Sequence, residues 1–194
     1  MVVLLPFGGS GCARQPKIKA LPAQAVVLAF GDSLTSGYGA ETGQDYPTVL
    51  AGLSGWQVVN AGVPGELSAA GLARLPSVLE EHRPALVLLC HGGNDILAGN
   101  SAEQIGANLE TMIRACREAG AEVVLLAVPQ KGLLLKPAPL YAKVAKRNGV
   151  PLVEDAITDV LKKNALKSDY VHPNAAGYAQ IAEAVWRELG RAQP

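Results

Sequence analysis

The sequence predicts an α/β fold in which a parallel sheet of about five strands carries helices on both faces. Three apolar runs, at residues 26–30, 85–90 and 122–128, have the length and the Val/Leu-rich composition of buried parallel strands. Residues 57–59 and 150–153 are shorter strand candidates. Helical patterns alternate with these runs, so right-handed crossovers should bring the carboxyl ends of all strands to one edge of the sheet.

Two helices are predicted in the middle of the chain. Residues 68–82 have a helical pattern, although Pro76 should kink or split that helix. The second helix follows Ser101, has Gln104 in the capping-box position three residues later, and ends at Gly120. Its predicted inner face consists of Ile105, Leu109, Met112, Ile113 and Cys116.

Two further helices are predicted near the carboxyl end. Residues 140–148 form a short candidate that Gly149 should terminate. Residues 174–189 form a longer one, and Gly190 is expected to stop it. The predicted inner face of this last helix consists of Tyr178, Ile181, Ala182, Val185 and Leu189.

Composition predicts one domain, over residues 25–194, preceded by a leader and linker at residues 1–24. The 17 basic and 17 acidic side chains balance, which argues against a nucleic-acid-binding surface. The three cysteines cannot form a disulfide framework, and the sequence has no Cys-x-x-Cys motif or His cluster. We therefore expect neither a metal nor an organic cofactor, and we expect Cys90 and Cys116 to be buried thiols.

The leader has features of an export signal. Residues 1–7 are apolar, and the small residues at 8–11 lead to Cys12. This order resembles the end of a bacterial lipoprotein signal, although no positive charge precedes the apolar part and Gly9 stands where leucine is usual. The resemblance implies export to the cell envelope with a lipid on Cys12, and thereby membrane attachment. The apolar part is short for such a signal, which a truncated start would explain. The alternative is a disordered leader with a stray cysteine on a cytoplasmic protein.

Ser33 is the strongest candidate for a functional residue. It directly follows the strand candidate at 26–30, and Gly31, Gly37 and Gly39 permit a tight turn around it. The carboxyl end of a central strand is where open α/β sheets place their ligands. A serine hydroxyl there needs a base to become a nucleophile. His172 is the candidate base, and Asp169, three residues earlier, would orient its ring.

The same edge offers donors for an oxyanion. Gly62, after the second strand, has an unobstructed backbone N–H, and Asn94, after the third, has a neutral side-chain amide. The alternative for these residues is a pair of glycine turns with a local Asn cap. The neighbouring acids Asp32 and Asp95 are expected to hold loops by hydrogen bonding.

Four short blocks together resemble the GDSL (SGNH) hydrolase family. They are Gly-Asp-Ser-Leu at 31–34, Gly62, Gly-Gly-Asn-Asp at 92–95 and Asp-x-x-His at 169–172, in the family's order. The motif Leu-Ala-Arg-Leu-Pro at 72–76 further resembles the branch of bacterial arylesterases, thioesterases and lysophospholipases.

The resemblance implies a three-layer α/β/α sandwich related to flavodoxin and a Ser33–His172–Asp169 triad. It also implies an oxyanion hole formed by the N–H groups of Ser33 and Gly62 and the side chain of Asn94. The implied reaction is hydrolysis of a carboxylic ester or thioester through an acyl-enzyme. His91, before the Gly-Gly-Asn-Asp block, departs from the expected pattern. It either tunes pH dependence or substrate choice, or is a partly buried histidine whose hydrogen bonds are satisfied by backbone.

The substrate class has two predicted forms. Leu133, Leu134 and Leu135 are expected either to contact an acyl chain, which favours lipid-like esters, or to pack beneath a loop. Removal of acetyl groups from carbohydrate or cell-wall sugars is the alternative, but it usually needs an aromatic cleft, and only 5% of the residues are aromatic. Tyr38, Tyr46 and Trp56 are expected to be packing groups.

A flavodoxin-like anion-binding module is the non-enzymatic alternative, because helix N-termini after parallel strands bind phosphate. However, no basic residue lies between Phe30 and Trp56, and no P-loop pattern follows the strand. This alternative also leaves Asp169 and His172 unexplained.

Overall fold

A single parallel sheet organises the protein. The computed structural model describes residues 16–132 and 134–194. Within them the strand order is β2-β1-β3-β4-β5, and all neighbouring strands are parallel. The strands are β1 (Val26–Gly31), β2 (Gln57–Gly62), β3 (Leu86–Cys90), β4 (Glu122–Leu126) and β5 (Leu152–Val153). The predicted parallel sheet is confirmed.

The strands at the centre of the sheet are buried because both of their faces are covered by helices. β3 is buried along its whole length, and β1 from its second residue onwards. This explains why both read as continuous apolar runs rather than as alternating patterns. Gly31 pairs with Gly62 on one side and with Cys90 on the other, so β1, β2 and β3 end level with one another.

Helices cover both faces of the sheet and complete three layers. They are α1 (Ser33–Ser36), α2 (Tyr46–Ser54), α3 (Ser68–His82), α4 (Gly93–Ala98), α5 (Ala102–Glu118), α6 (Pro139–Asn148), α7 (Ala156–Leu161) and α8 (Ala175–Ala192), with a 3₁₀ turn at Asn164–Leu166. The helix α5 packs against α3 and α6, whereas α8 packs against α2 and α7. No helix among these described segments is both long enough and apolar enough to cross a bilayer.

The structure differs from the sequence predictions at two points, the end of α8 and the splitting of α3. α8 does not stop at Gly190 but continues to Ala192, because Gly190 is not in the left-handed conformation that ends a helix. α3 is not split by Pro76 but runs from Ser68 to His82. The buried residues on either side of the proline, Leu75 and Leu79, anchor both halves of α3 in the core, and this packing outweighs the lost backbone hydrogen bond.

The packed part of the chain starts before Ala25, the predicted beginning of the domain. Ile18 is buried, and its N–H donates to the carbonyl of Ala192 at 3.0 Å. Lys17 reaches the carbonyl oxygens of Arg191 and Gln193. The segment before β1 therefore lies along the end of α8. Cys12 is outside the described residues.

Candidate active site

Ser33 lies at the amino end of α1, directly beyond β1. The preceding residue, Asp32, is the N-cap, and its Oδ1 accepts the N–H of Leu34 at 3.0 Å. α1 ends after four residues at Gly37, whose φ of 88° is left-handed. At Gly31, a Cβ would collide with the carbonyl of Cys90 in the neighbouring strand. This close approach requires glycine and sets the position of the turn that carries the serine.

Ser33, His172 and Asp169 are connected by hydrogen bonds. Nε2 of His172 is 3.0 Å from Ser33 Oγ, and Nδ1 is 2.8 Å from Asp169 Oδ2. With the ring proton on Nδ1, the hydroxyl donates to Nε2. The structure thus brings together the three residues that the sequence singled out, although 136 positions separate the serine from the aspartate.

A tight turn holds the Asp169–His172 segment. Oδ1 of Asp169 accepts the N–H groups of Val171 and His172, both at 2.8 Å. Ser168 N–H donates to the His172 carbonyl at 3.0 Å, which closes the turn. Although partial burial raises the pKa of Asp169, the hydrogen bonds from His172 and Val171 more than compensate and hold it below its ordinary value. The carboxylate is therefore ionised where it meets the imidazole.

Tyr38 was expected to be a packing group, but it contacts the candidate base His172. The Tyr38 ring lies against the His172 ring, with centroids 4.6 Å apart, and Tyr38 is 55% exposed. The Tyr178 hydroxyl donates to the Tyr38 carbonyl at 2.8 Å and fixes this segment. The signal in the sequence was its position five residues after Ser33. Tyr46 and Trp56 are buried, as expected of packing groups.

The two acids beside the candidate residues hold loops, as the sequence indicated. Asp95 is buried and accepts hydrogen bonds from the N–H and hydroxyl of Ser68, at 2.7 and 2.8 Å. Burial raises the pKa of Asp32, an effect that the nearby His91 ring partly offsets. Asp32 Oδ2 lies 3.3 Å from Nδ2 of Asn94.

The predicted oxyanion donors differ in their surroundings. Asn94, near the start of α4, donates to the carbonyl of Glu66 at 3.0 Å and is held beside Ser33 by Asp32. The N–H of Gly62, in contrast, already donates to Oδ1 of Asn60 at 3.0 Å. A Cβ on Gly62 would strike the backbone of Ser36, so its glycine serves close packing against α1.

The backbone at Gly65, rather than at Gly62, is unobstructed. Residues 63–66 form a turn in which Glu66 N–H donates to the Val63 carbonyl at 3.2 Å. Pro64 and Gly65, with a φ of +77° at the glycine, match the central positions of a type II turn. A Cβ on Gly65 would contact nothing within 4 Å. The signal was the Pro-Gly pair, which marks a turn directly before the residue that binds Asn94.

A cavity of about 260 Å³ opens beside Ser33, Asn94 and His172. Apolar side chains form most of its wall, namely Leu34, Ile96, Leu97, Val128, Leu135, Leu161 and Val171. Of the three leucines singled out in the sequence, Leu135 lines this cavity. Leu134 is 69% exposed and is not part of the wall, and Leu133 is outside the described residues.

His91 is fully buried at the end of β3. Its Nε2 lies 3.0 Å from a carboxylate oxygen of Glu66, so its partner is an acid rather than backbone.

Burial raises the pKa of the Cys90 and Cys116 thiols, in the latter to about 12, which makes both poor nucleophiles. In the described ranges, no group of three His, Cys, Asp or Glu side chains is arranged to hold a metal ion.

Sequence comparison relates the chain to known hydrolases. Residues 29–180 match the GDSL-like lipase/acylhydrolase family. Esterase TesA of Pseudomonas aeruginosa is 34% identical over 191 residues, which cover 93% of this chain and 95% of that protein. A thioesterase 1/protease 1/lysophospholipase of Escherichia coli is also 34% identical, over 84% of this chain and 82% of its own.

Solved structures agree with this relationship. The crystal structure of a protein named TesA has a TM-score of 0.79 and 32% identity, covering 86% of this chain and 99% of its own. AlinE4, described as an SGNH-hydrolase family esterase, has a TM-score of 0.68 and 30% identity, covering 90% of this chain and all of its own. These similarities confirm the three-layer α/β/α fold. The matched family and the relatives together lead to one conclusion: the chain belongs to the GDSL-like lipase/acylhydrolase family and is a hydrolase of ester bonds.

Proposed function

We propose that the protein hydrolyses carboxylic esters or thioesters of acyl chains through an acyl-enzyme on Ser33. The observation that carries this proposal is the hydrogen-bonded series Ser33 Oγ–His172 Nε2, at 3.0 Å, and His172 Nδ1–Asp169 Oδ2, at 2.8 Å. A base on one side of the ring and an orienting carboxylate on the other is the arrangement that activates a serine.

The reaction proceeds in two steps. Ser33 Oγ attacks the ester carbonyl while His172 takes its proton, and His172 then protonates the leaving alkoxide or thiolate. In the second step His172 takes a proton from water, which attacks the acyl-enzyme, and His172 then returns that proton to Ser33 Oγ as the acid is released. Asp169 keeps the ring in the required tautomer and stabilises the imidazolium in both steps.

We assign the oxyanion to the N–H of Ser33, the N–H of Gly65 and one side-chain N–H of Asn94. The other Asn94 N–H donates to Glu66, whereas the one assigned here has only the long 3.3 Å contact with Asp32 Oδ2, which it can exchange for the oxyanion. Gly65 takes the place of Gly62 in this assignment, because the Gly62 N–H already has Asn60 as its acceptor. Gly65 directly precedes Glu66, whose carbonyl holds the Asn94 amide. One such preorganised donor contributes about 3–4 kcal/mol to the stabilisation of the transition state.

The cavity supports an apolar acyl group rather than an acetylated sugar. Its wall beside Ser33 is mainly aliphatic, and a volume of about 260 Å³ suits a short to medium acyl chain. Esterase and thioesterase/lysophospholipase are the names of two of the relatives, and both classes act on acyl groups.

A series of p-nitrophenyl esters from acetate to palmitate tests the proposal, with Ser33→Ala in parallel. We expect the wild type to prefer an acyl chain longer than acetate and the variant to lose at least about 10³-fold in kcat. Equal activity of Ser33→Ala would refute the nucleophile. Activity on acetate alone would favour the deacetylase alternative.

Export with lipidation of Cys12 belongs to the same proposal and is supported by the sequence of residues 1–12. We expect metabolic labelling with radioactive palmitate in a bacterial host to label the full-length chain but not Cys12→Ser. An unlabelled wild type that stays in the cytoplasm would support the disordered-leader alternative.

A further inference from the structure

A largely buried cluster of ionisable side chains lies behind the proposed oxyanion donors. It consists of Glu66, Arg74 and His91, which come from the loop after β2, from α3 and from the end of β3. Arg74 binds the carboxylate with two donors, at 2.9 and 2.7 Å, and His91 Nε2 lies 3.0 Å from the same carboxylate. The Glu66 side chain is only 8% exposed. A buried carboxylate with three hydrogen bonds is held rigidly.

This cluster is connected to the oxyanion site through the backbone of Glu66. The Glu66 carbonyl accepts the amide of Asn94 at 3.0 Å. Arg74 also donates to the carbonyl of Ala61, at 3.1 Å, where β2 ends. The loop from residue 61 to residue 66 is thus held at both ends by one guanidinium, and its last residue determines where Asn94 points.

The cluster also determines which ring nitrogen of His91 donates. Although burial raises the pKa of Glu66, the hydrogen bonds from Arg74 and His91 hold it below its ordinary value, so the carboxylate accepts. His91 must then donate from Nε2. Its Nδ1 is buried without a hydrogen-bond partner in the described part of the chain, and an N–H there would be unsatisfied. The geometry therefore directs one ring donor of His91 at Glu66.

The surroundings of His91 leave the ring no other position. A Cβ on Gly71 of α3 would collide with Nε2, so the ring fills the space that this glycine leaves. The Tyr141 hydroxyl donates to the His91 carbonyl at 2.7 Å and fixes the backbone. Arg74, on the other side of the carboxylate, lies over the ring of Phe30, 4.2 Å from its centroid.

We propose that Glu66 and His91 are positioning residues, which hold the Asn94 amide in the direction of the oxyanion through the Glu66 carbonyl. Neither residue contacts the reacting atoms. This inference rests on the proposed function, because it assigns Asn94 as an oxyanion donor. Loss of the His91 donor leaves the carboxylate held by Arg74 alone and lets the Glu66 backbone shift. A misdirected amide lowers kcat and leaves KM nearly unchanged, since the oxyanion exists only after attack.

A double-mutant cycle separates this role from a general structural one. We expect His91→Leu to lower kcat about tenfold in the wild type, and Asn94→Ala to lower it about 10²–10³-fold. In the Asn94→Ala background, His91→Leu should change kcat by less than about twofold, because the amide it positions is gone. A further tenfold loss in that background would overturn the proposal.

Two further variants serve as a rescue and as a control for this cycle. His91→Gln retains a side-chain N–H that can reach Glu66, so it should recover most of the kcat that His91→Leu loses. His82→Leu is the matched control, because His82 ends α3 and is remote from the site, and it should have wild-type kcat and KM. If His91→Leu does not fold, Glu66→Gln, which retains the backbone carbonyl, is measured in both backgrounds under the same criteria.

A spectroscopic measurement keeps this inference separate from the proposed function. The side-chain amide signals of Asn94, identified by their loss in Asn94→Ala, should shift in His91→Leu and return in His91→Gln, as measured by ¹H–¹⁵N NMR. They should not shift in His82→Leu. Unchanged Asn94 signals in His91→Leu would overturn the positioning role whether or not the enzyme hydrolyses the ester series, whereas an inactive wild type would refute only the proposed function.

Discussion

His172 has a hydrogen-bonding partner on each ring nitrogen and an aromatic ring against its face. Asp169 is on one nitrogen, Ser33 on the other, and Tyr38 lies 4.6 Å away, centroid to centroid. Only one of these three partners is local in sequence. The imidazole can therefore neither rotate nor tilt without losing a contact, which is the preorganisation that proton transfer in the transition state requires.

Asp169→Asn removes the acceptor that selects the tautomer of His172. An amide can instead donate to Nδ1, which leaves the ring proton on Nε2, where Ser33 needs an acceptor. We expect kcat on p-nitrophenyl butyrate to fall at least about 100-fold. Asp159→Asn is the control, since Asp159 is exposed on α7 and pairs with Lys162. A variant that retained half of the wild-type kcat would remove Asp169 from the mechanism.

The pH dependence of kcat/KM should show that uptake of a single proton abolishes activity as the pH is lowered. Asp169 has a pKa below its ordinary value of 3.8, so it stays ionised through mildly acidic pH and does not contribute to the loss of activity there. A single proton, taken up by the base, then stops the reaction, and log kcat/KM should fall with a slope of about one on the acid side. A slope of two, or a flat profile between about pH 5 and 8, would contradict this assignment.

At the scale of elements, the segment after β4 forms one wall of the cavity. Gln130 N–H donates to the Lys136 carbonyl at 2.9 Å, and Pro129 and Pro137 form an antiparallel bridge, so the loop is closed at its base. Leu135, near that base, lines the cavity, whereas Leu134 is exposed and is not part of the cavity wall. This geometry predicts that substitutions at the adjacent residues Leu134 and Leu135 have different effects on activity.

Leu135→Asp should lower kcat/KM for medium-chain esters by at least about tenfold, because a charge would line the acyl cavity. Leu134→Asp, the matched control, should change it by less than about twofold, since that side chain is 69% exposed. The measurement is kcat/KM for acetate and octanoate esters. Equal losses in the two variants, or an unchanged chain-length preference in Leu135→Asp, would place the acyl chain elsewhere.

At the scale of the whole molecule, the contact between α3 and the end of β3 has no spare volume. A Cβ on Gly71 would collide with the His91 ring, which is itself fully buried. Gly52, on the outer face of α2, has nothing within 4 Å of its Cβ position. Both glycines lie inside helices and neither has a positive φ, so they differ only in their surroundings.

Gly71→Ala should therefore lower the free energy of unfolding by about 1–3 kcal/mol through overpacking. Gly52→Ala should raise it by up to about 1 kcal/mol, because alanine has the higher helix propensity. Urea denaturation followed by circular dichroism measures both values. Stabilisation by Gly71→Ala would mean that the His91 ring can move aside, and that result would weaken the rigid arrangement described for the cluster.

The sequence by itself determined the local parts of this protein. The apolar runs of β1, β3 and β4 reveal their burial because both of their faces meet helices. The turn at Ser33 and the spacing of Asp169 and His172 are also local, so they could be predicted from the sequence. The short helices α1, α4 and α7 were not recognised, since four to six residues are too few for a helical period.

Only the tertiary structure decided the relations between distant residues. It determines that the Gly62 N–H is bound by Asn60 while Gly65 is open, that Tyr38 covers His172, and that Leu135 rather than Leu134 lines the cavity. It likewise makes Glu66 the residue that joins Arg74, His91 and Asn94. No periodicity encodes such contacts, because each depends on where separate elements of the chain meet at the edge of the sheet.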